Sequence, residues 1–129
     1  MPIVRIDIQE GKVTGYKREL LHGVRRAITS ALSVPDERVV QRIVETHPDD
    51  IDSGAKRTDA FTVIEIAMIA GRGAELKHAL YDEIVAELGV SPGIAPEDII
   101  VYVVDPPAEC FCLGGEHSAP ARAEGGTMD

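Results

Sequence analysis

Pro2 stands immediately behind Met1. Removal of an initiator methionine before a small second residue would leave Pro2 as a free secondary amine with a single proton position. An unperturbed α-amine titrates at about 8. Burial in an apolar pocket and neighbouring cations both push that value down, and a base poised near neutrality suits proton abstraction beside a carbonyl. Met-Pro starts are common and by themselves carry no function. Here the proline opens a segment that reads as a central β-strand, so its nitrogen would be held rigidly.

The other chemistry-bearing groups form weaker constellations. Cys110-x-Cys112 with His117 offers three local donors, whereas a closed structural zinc site takes four at firm spacing; no metal is expected. Asp49, Asp50 and Asp52 lie in a polar stretch and read as a solvated loop face. Gly71-x-Gly73 precedes a helix but matches neither the dinucleotide fingerprint nor the P-loop. His22 and His78 fall within helical segments as surface or interface residues, and His47 is ambiguous.

The elements that must position Pro2 come in two copies. Residues 2–47 lie over 62–107 at an offset of 60 residues without a gap: Ile6 meets Ile66, Gly11 meets Gly71, Lys17 meets Lys77, Leu20 meets Leu80, Glu37 meets Glu97 and Val44 meets Val104. The replacements between them are mostly like for like, as in Ile3/Val63, Val24/Ile84 and Val39/Ile99. Each copy reads strand, helix, strand. Pro2–Ile8 alternates apolar and polar residues, the strand period. From Thr14 to Leu32 the residues Tyr16, Leu20, Val24, Ile28 and Leu32 recur four apart, the stripe of an amphipathic helix, with Thr14 as its N-cap. Val39–Thr46 is the second strand and 47–59 the loop between copies. Phe61–Ile69 is the third strand, nearly all apolar, and Ala74–Leu88 the second helix, with Gly89 as its C-cap. Ile99–Val104 is the fourth strand. Residues 114–129 read as a C-terminal arm or disordered tail, leaving one domain over 1–113.

Right-handed crossovers give each half a parallel strand pair. The expected fold is α/β (α+β): a four-stranded, mostly parallel-paired sheet with both helices on one face. The other face stays uncovered, and a third and fourth strand apolar on both sides would make it an association surface. The 129 residues carry a net charge of −9 and 4% aromatics. That balance argues against nucleic acid or an anionic membrane as partner. The core must be aliphatic. No stretch approaches the roughly 18 apolar residues of a membrane span, and no signal peptide is legible, so a cytoplasmic location is expected.

Carried by Pro2-Ile3-Val4-Arg5-Ile6-Asp7, Arg57-Thr58-Asp59, Gly71-Arg72 with Glu75-x-Lys77-x-x-Leu80-Tyr81, and Pro96-Glu97-Asp98-Ile99, the chain resembles the tautomerase superfamily over about residues 2–115, nearest its malonate semialdehyde decarboxylase-like branch. The resemblance implies a homotrimer, a small carboxylic-acid substrate and no cofactor. It assigns Pro2 as catalytic acid and base and Arg72 as the carboxylate clamp. Four residues join as substrate-binding candidates. Arg38 stands where the decarboxylase has an essential aspartate and could supply a second cation. Glu37, one residue away, is either a substitute carboxylate or a surface acid. Tyr102 stands where the related cis-3-chloroacrylic acid dehalogenases carry a tyrosine, and is either a pocket wall or an interface residue. Phe111 lies in Cys110-Phe111-Cys112-Leu113, which replaces the branch's Trp-x-Phe-Gly. Ala70 replaces a second arginine of the decarboxylase. These departures favour simple keto–enol tautomerisation of a 2-oxo acid over decarboxylation or hydration, with a non-catalytic trimer as the third reading.

Overall fold

The computed structural model describes residues 1–117; of the expected C-terminal arm, residues 118–129 lie outside the described residues. Strand β1 is Ile3–Gln9, helix α1 Thr14–Leu32, strand β2 Val40–Thr46, strand β3 Thr62–Ala67, helix α2 Ala74–Val90 and strand β4 Ile99–Val104. Strands β5 (Cys112–Leu113) and β6 (Glu116–His117) form a short antiparallel hairpin. The expected arm therefore opens with the turn and second strand of this hairpin.

The sheet order is β2-β1-β3-β4. Each β-α-β copy supplies a parallel pair, and the copies join through β1 and β3, which run antiparallel with Ile6 opposite Ile64. Alternation sends Val4, Ile6 and Ile8 of β1, and Ile64 and Ile66 of β3, to one face, where they are buried. Both helices cover that face. They bury Leu20, Val24 and Ile28 from α1 and Leu80, Ile84 and Leu88 from α2 into the same cluster. Each fully buried aliphatic side chain contributes about 1.5–3 kcal/mol, so this stripe-to-stripe contact is the main stabilising term of the protomer. Gly23 lets the helices approach closely: a Cβ there would sit 3.0 Å from Leu88 Cδ2.

Two helix ends differ from expectation. Thr14 is the first helical residue; Val13 holds the cap position without a side-chain cap bond. Helix α2 continues through Gly89 to Val90. Its end is tied by Gly93 and Ile94, whose N–H groups both reach the Leu88 carbonyl at 2.9 and 2.8 Å. Gly93, at φ 98°, takes the left-handed turn that was expected of Gly89, because buried Ile94 fixes where the chain folds back.

The face without helices is mixed rather than apolar throughout. Strand register places Val40, Ile3, Ala67 and Val104 in one row, and Val44, Asp7, Val63 and Ile100 in another. Between them runs a polar band of Arg42, Arg5, Glu65 and Tyr102. The apolar composition of β3 and β4 hid the phase of Glu65 and Tyr102. Among the described residues no helix is long and apolar enough to cross a membrane.

Candidate active site

At one end of the sheet a cavity of about 580 Å³ opens beside the chain terminus. Three loops and the hairpin build it. Helix α1 stops at Leu32, and Ser33 follows at φ 55°, a left-handed conformation unusual for a residue with a Cβ. Pro35 then starts a single 3-10 turn over Asp36–Arg38, closed by Arg38 N–H on Pro35 O at 3.0 Å. This turn projects Arg38 to the cavity wall. Gly71, at φ 138°, lets β3 reverse into α2, and Arg72 in that turn is half-buried against the same cavity. The turn is pinned by Ala70 N–H donating to Pro106 O at 3.0 Å. The hairpin brings Leu113 and Glu116.

Leu32, Val34, Pro35, Ile69 and Leu113 line the apolar part; Arg38, Arg72 and Glu116 supply charge, and Met1 also lines the cavity. Two guanidiniums against one carboxylate make the cavity locally cationic in a chain of net charge −9, a focusing arrangement for anions. Burial, then the positive charges of Arg72 and Arg38, hold the α-amine of Met1 below its ordinary value. Pro2 itself is buried directly behind Met1, and its carbonyl accepts from Val40 N–H at 3.1 Å. That bond fixes the first residue of the β1 side to the exit of the loop that carries Arg38.

Of the residues singled out by the sequence, Arg38 and Arg72 meet at this cavity with the chain terminus beside Pro2. Glu37 is exposed on the same turn and is not among the lining residues. Tyr102 lies on the helix-free sheet face, where its hydroxyl donates to Glu65 Oε1 at 3.2 Å. Phe111 follows the 3-10 turn Ala108–Cys110 and is half-buried outside the lining. Glu116, Leu113 and Ser33 were not anticipated. The signal for the first two was Gly114-Gly115 between Leu113 and Glu116, the two-residue loop of a tight hairpin. Ser33 carried no signal beyond preceding Pro35 by two.

Two guanidiniums can hold a carboxylate, and an amine at this terminus can exchange a proton with the carbon next to it; the lowered pKa is that of Met1, one residue before Pro2. Known proteins carry the same frame. Residues 40–114 match the family described as tautomerase enzyme. The chain is 30% identical over 111 residues to Probable tautomerase YrdN of Bacillus subtilis (strain 168), an alignment spanning 81% of this chain and 84% of that protein. A fused 4-OT solved as an asymmetric trimer superposes with a TM-score of 0.81 at 29% identity, covering 95% of this chain and 98% of that one. A malonate semialdehyde decarboxylase, described with decarboxylase and hydratase activities, superposes with a TM-score of 0.79 at 22% identity over 96% and 97% of the two chains; that likeness concerns the fold.

Proposed function

This chain belongs to the tautomerase enzyme family, and on that premise we propose that it is a cofactor-free keto–enol tautomerase of a small 2-oxo acid, working from Pro2 after removal of Met1. Arg72 binds the substrate carboxylate through its planar, permanently charged fork, with Arg38 as the second cation. The neutral Pro2 nitrogen takes a proton from the carbon beside the carbonyl. The C–H electron pair forms the C=C bond of the enol, and the carbonyl oxygen becomes an enolate whose charge the guanidiniums stabilise. Protonation of that oxygen completes the enol; the reverse path returns the proton to carbon.

The observation that carries this reading is the meeting of Met1, directly bonded to Pro2, with Arg72 and Arg38 at one cavity, so that removal of Met1 would leave the Pro2 amine facing the same two cations. Ultraviolet-monitored ketonisation of phenylenolpyruvate by the Met-processed protein, with Pro2→Ala alongside, tests it. Turnover that collapses in the variant supports the amine as the reacting group. Turnover that survives the variant refutes it. No turnover in either, with no labelling of Pro2 by reactive acid analogues, favours a non-catalytic trimer.

A second reading, hydration or decarboxylation of a small unsaturated or 3-oxo acid, draws on Glu116. Glu116 places a carboxylate at the cavity, as Glu37 does not, and a carboxylate there could activate water. The same reading of the family makes the assembly a homotrimer joined through the helix-free sheet faces. Tyr102 then belongs to the boundary between copies, and Phe111 serves as a pocket wall across such a boundary.

A further inference from the structure

Arg25 sits on α1, half-buried, facing the loop that follows the helix. Its Nη1 donates to Asp36 O at 2.7 Å and its Nη2 to Val39 O at 3.0 Å. The Asp36 carboxylate lies 3.5 Å from the same guanidinium. These bonds bracket the 3-10 turn from both sides, with Glu37 and Arg38 between them. A planar five-donor group suits this task, because it can hold two carbonyls at fixed separation.

The repeat supplies an internal control on whether the bracket merely makes the turn. The second copy forms the same turn at Pro96–Asp98, closed by Asp98 N–H on Ala95 O at 2.9 Å. Backbone angles at the two N-caps agree closely, φ −64° and ψ 148° at Pro35 against φ −68° and ψ 146° at Ala95. Yet the position matching Arg25 is Val85. The turn therefore folds without an arginine. What the first copy has and the second lacks is a cation at the tip facing a cavity. An exposed arginine on a free loop samples many rotamers, and ordering it costs entropy at the moment of binding.

We propose that Arg25 is a positioning residue: by clamping Asp36 O and Val39 O it holds the turn so that Arg38 stands at the cavity mouth ready for a substrate carboxylate. The proposal rests on reading the cavity as the substrate site. It is tested in the Met-processed full chain with Arg25→Met, Arg25→Lys, Arg38→Ala and the Arg25→Met/Arg38→Ala pair. In phenylenolpyruvate ketonisation, Arg25→Met raises KM about threefold to tenfold with kcat within about twofold, and Arg25→Lys recovers part of the loss. In the Arg38→Ala background Arg25→Met adds almost nothing, because the group it positions is gone. An equal KM effect in that background, or no effect in the parent, overturns the proposal. Amide hydrogen exchange reads the clamp without turnover. Exchange at Arg38 and Val39 quickens in Arg25→Met while Asp98 and Ile99 stay unchanged. A parent that fails to turn over removes the tautomerase reading. Unchanged exchange at Arg38 and Val39 removes the clamp.

Discussion

The two guanidiniums at the cavity are unequal, and that inequality sets a graded expectation. Arg72 is half-buried in a turn pinned at both ends, whereas Arg38 is exposed at the tip of its loop. Arg72 also precedes Arg38 among the charges that depress the chain-terminal amine. A hydrogen bond to a charged group contributes about 1.5–3 kcal/mol, and every 1.36 kcal/mol is about tenfold in rate. Truncating a carboxylate clamp therefore costs between about 10-fold and 150-fold in kcat/KM. Arg72→Ala belongs in the upper part of that range, because fewer waters can replace its donors. Arg38→Ala belongs near the lower end, because water competes at an exposed site. Arg72→Lys keeps the charge and loses the fork, so it falls between them. Steady-state ketonisation of phenylenolpyruvate across the three variants gives the order directly. An Arg38→Ala loss equal to or larger than that of Arg72→Ala would refute the argument from burial, and losses below about threefold at both would refute the clamp itself.

The sign of the pH response follows from the cations that depress the Met1 amine, which would face the Pro2 amine once Met1 is removed: a nearby positive charge disfavours the protonated amine, so removing Arg72 raises its pKa. An enzyme that needs the neutral amine then loses kcat/KM at higher pH in Arg72→Ala than in the parent, and a pH–rate profile unmoved or moved the other way would contradict the coupling. Ser33→Gly should stabilise the fold by about 0.5–1 kcal/mol in urea denaturation, since glycine accepts the φ of 55° without the Cβ penalty; the matching position in the second copy is already Gly93. Asp98→Ala should cost about 2 kcal/mol by removing the acceptor of two bonds of 2.7 Å from Thr58 N–H and Oγ1, with KM unchanged because Asp98 is not among the residues lining the cavity. Sedimentation at micromolar concentration should give three times the 13.9 kDa chain mass, and Ile100→Glu on the helix-free face should move it toward one; a monomeric parent would oppose association through that face.

Much of the frame was legible because periodicity and the internal repeat reported on the same residues twice. The stripe Leu20, Val24, Ile28 and its counterpart Leu80, Ile84, Leu88 both proved to be core. Helix ends were less legible, because the stop is set by tertiary contacts: Ile94, buried against the cluster, decides where α2 ends, and the local glycine at 89 does not. The helix-free face was misjudged where composition replaced phase, at Glu65 and Tyr102. At the cavity, Arg72 was legible through resemblance and Arg38 through alignment of the following loop. Glu116 was not, since Gly114-Gly115 suggested a tail in a glycine-rich segment when it served as a hairpin turn.

The two copies separate what the scaffold needs from what the site needs. Both keep a lysine–acid bridge from helix to strand end, Lys17–Glu45 at 2.8 Å and Lys77–Asp105 at 2.6 Å, at matching positions. Both keep the 3-10 turn before the outer strand. The groups proposed for chemistry differ at every matching position: Pro2 faces Thr62, Arg25 faces Val85, Arg38 faces Asp98 and Arg72 faces Lys12. Thr62 is buried within a continuous chain and can offer no free amine. Asp98, in place of a cation, binds the linker through Thr58, and Lys12 donates to Asp59 O at 2.8 Å. Asp98 in the second copy and Lys12 in the first thus both fasten the linker between the repeats, at positions whose counterparts, Arg38 and Arg72, face the cavity. The cavity draws Arg38 from the first copy and Arg72 from the second, so the symmetry of the repeat is broken at the site while the bridges and turns of the scaffold stay alike.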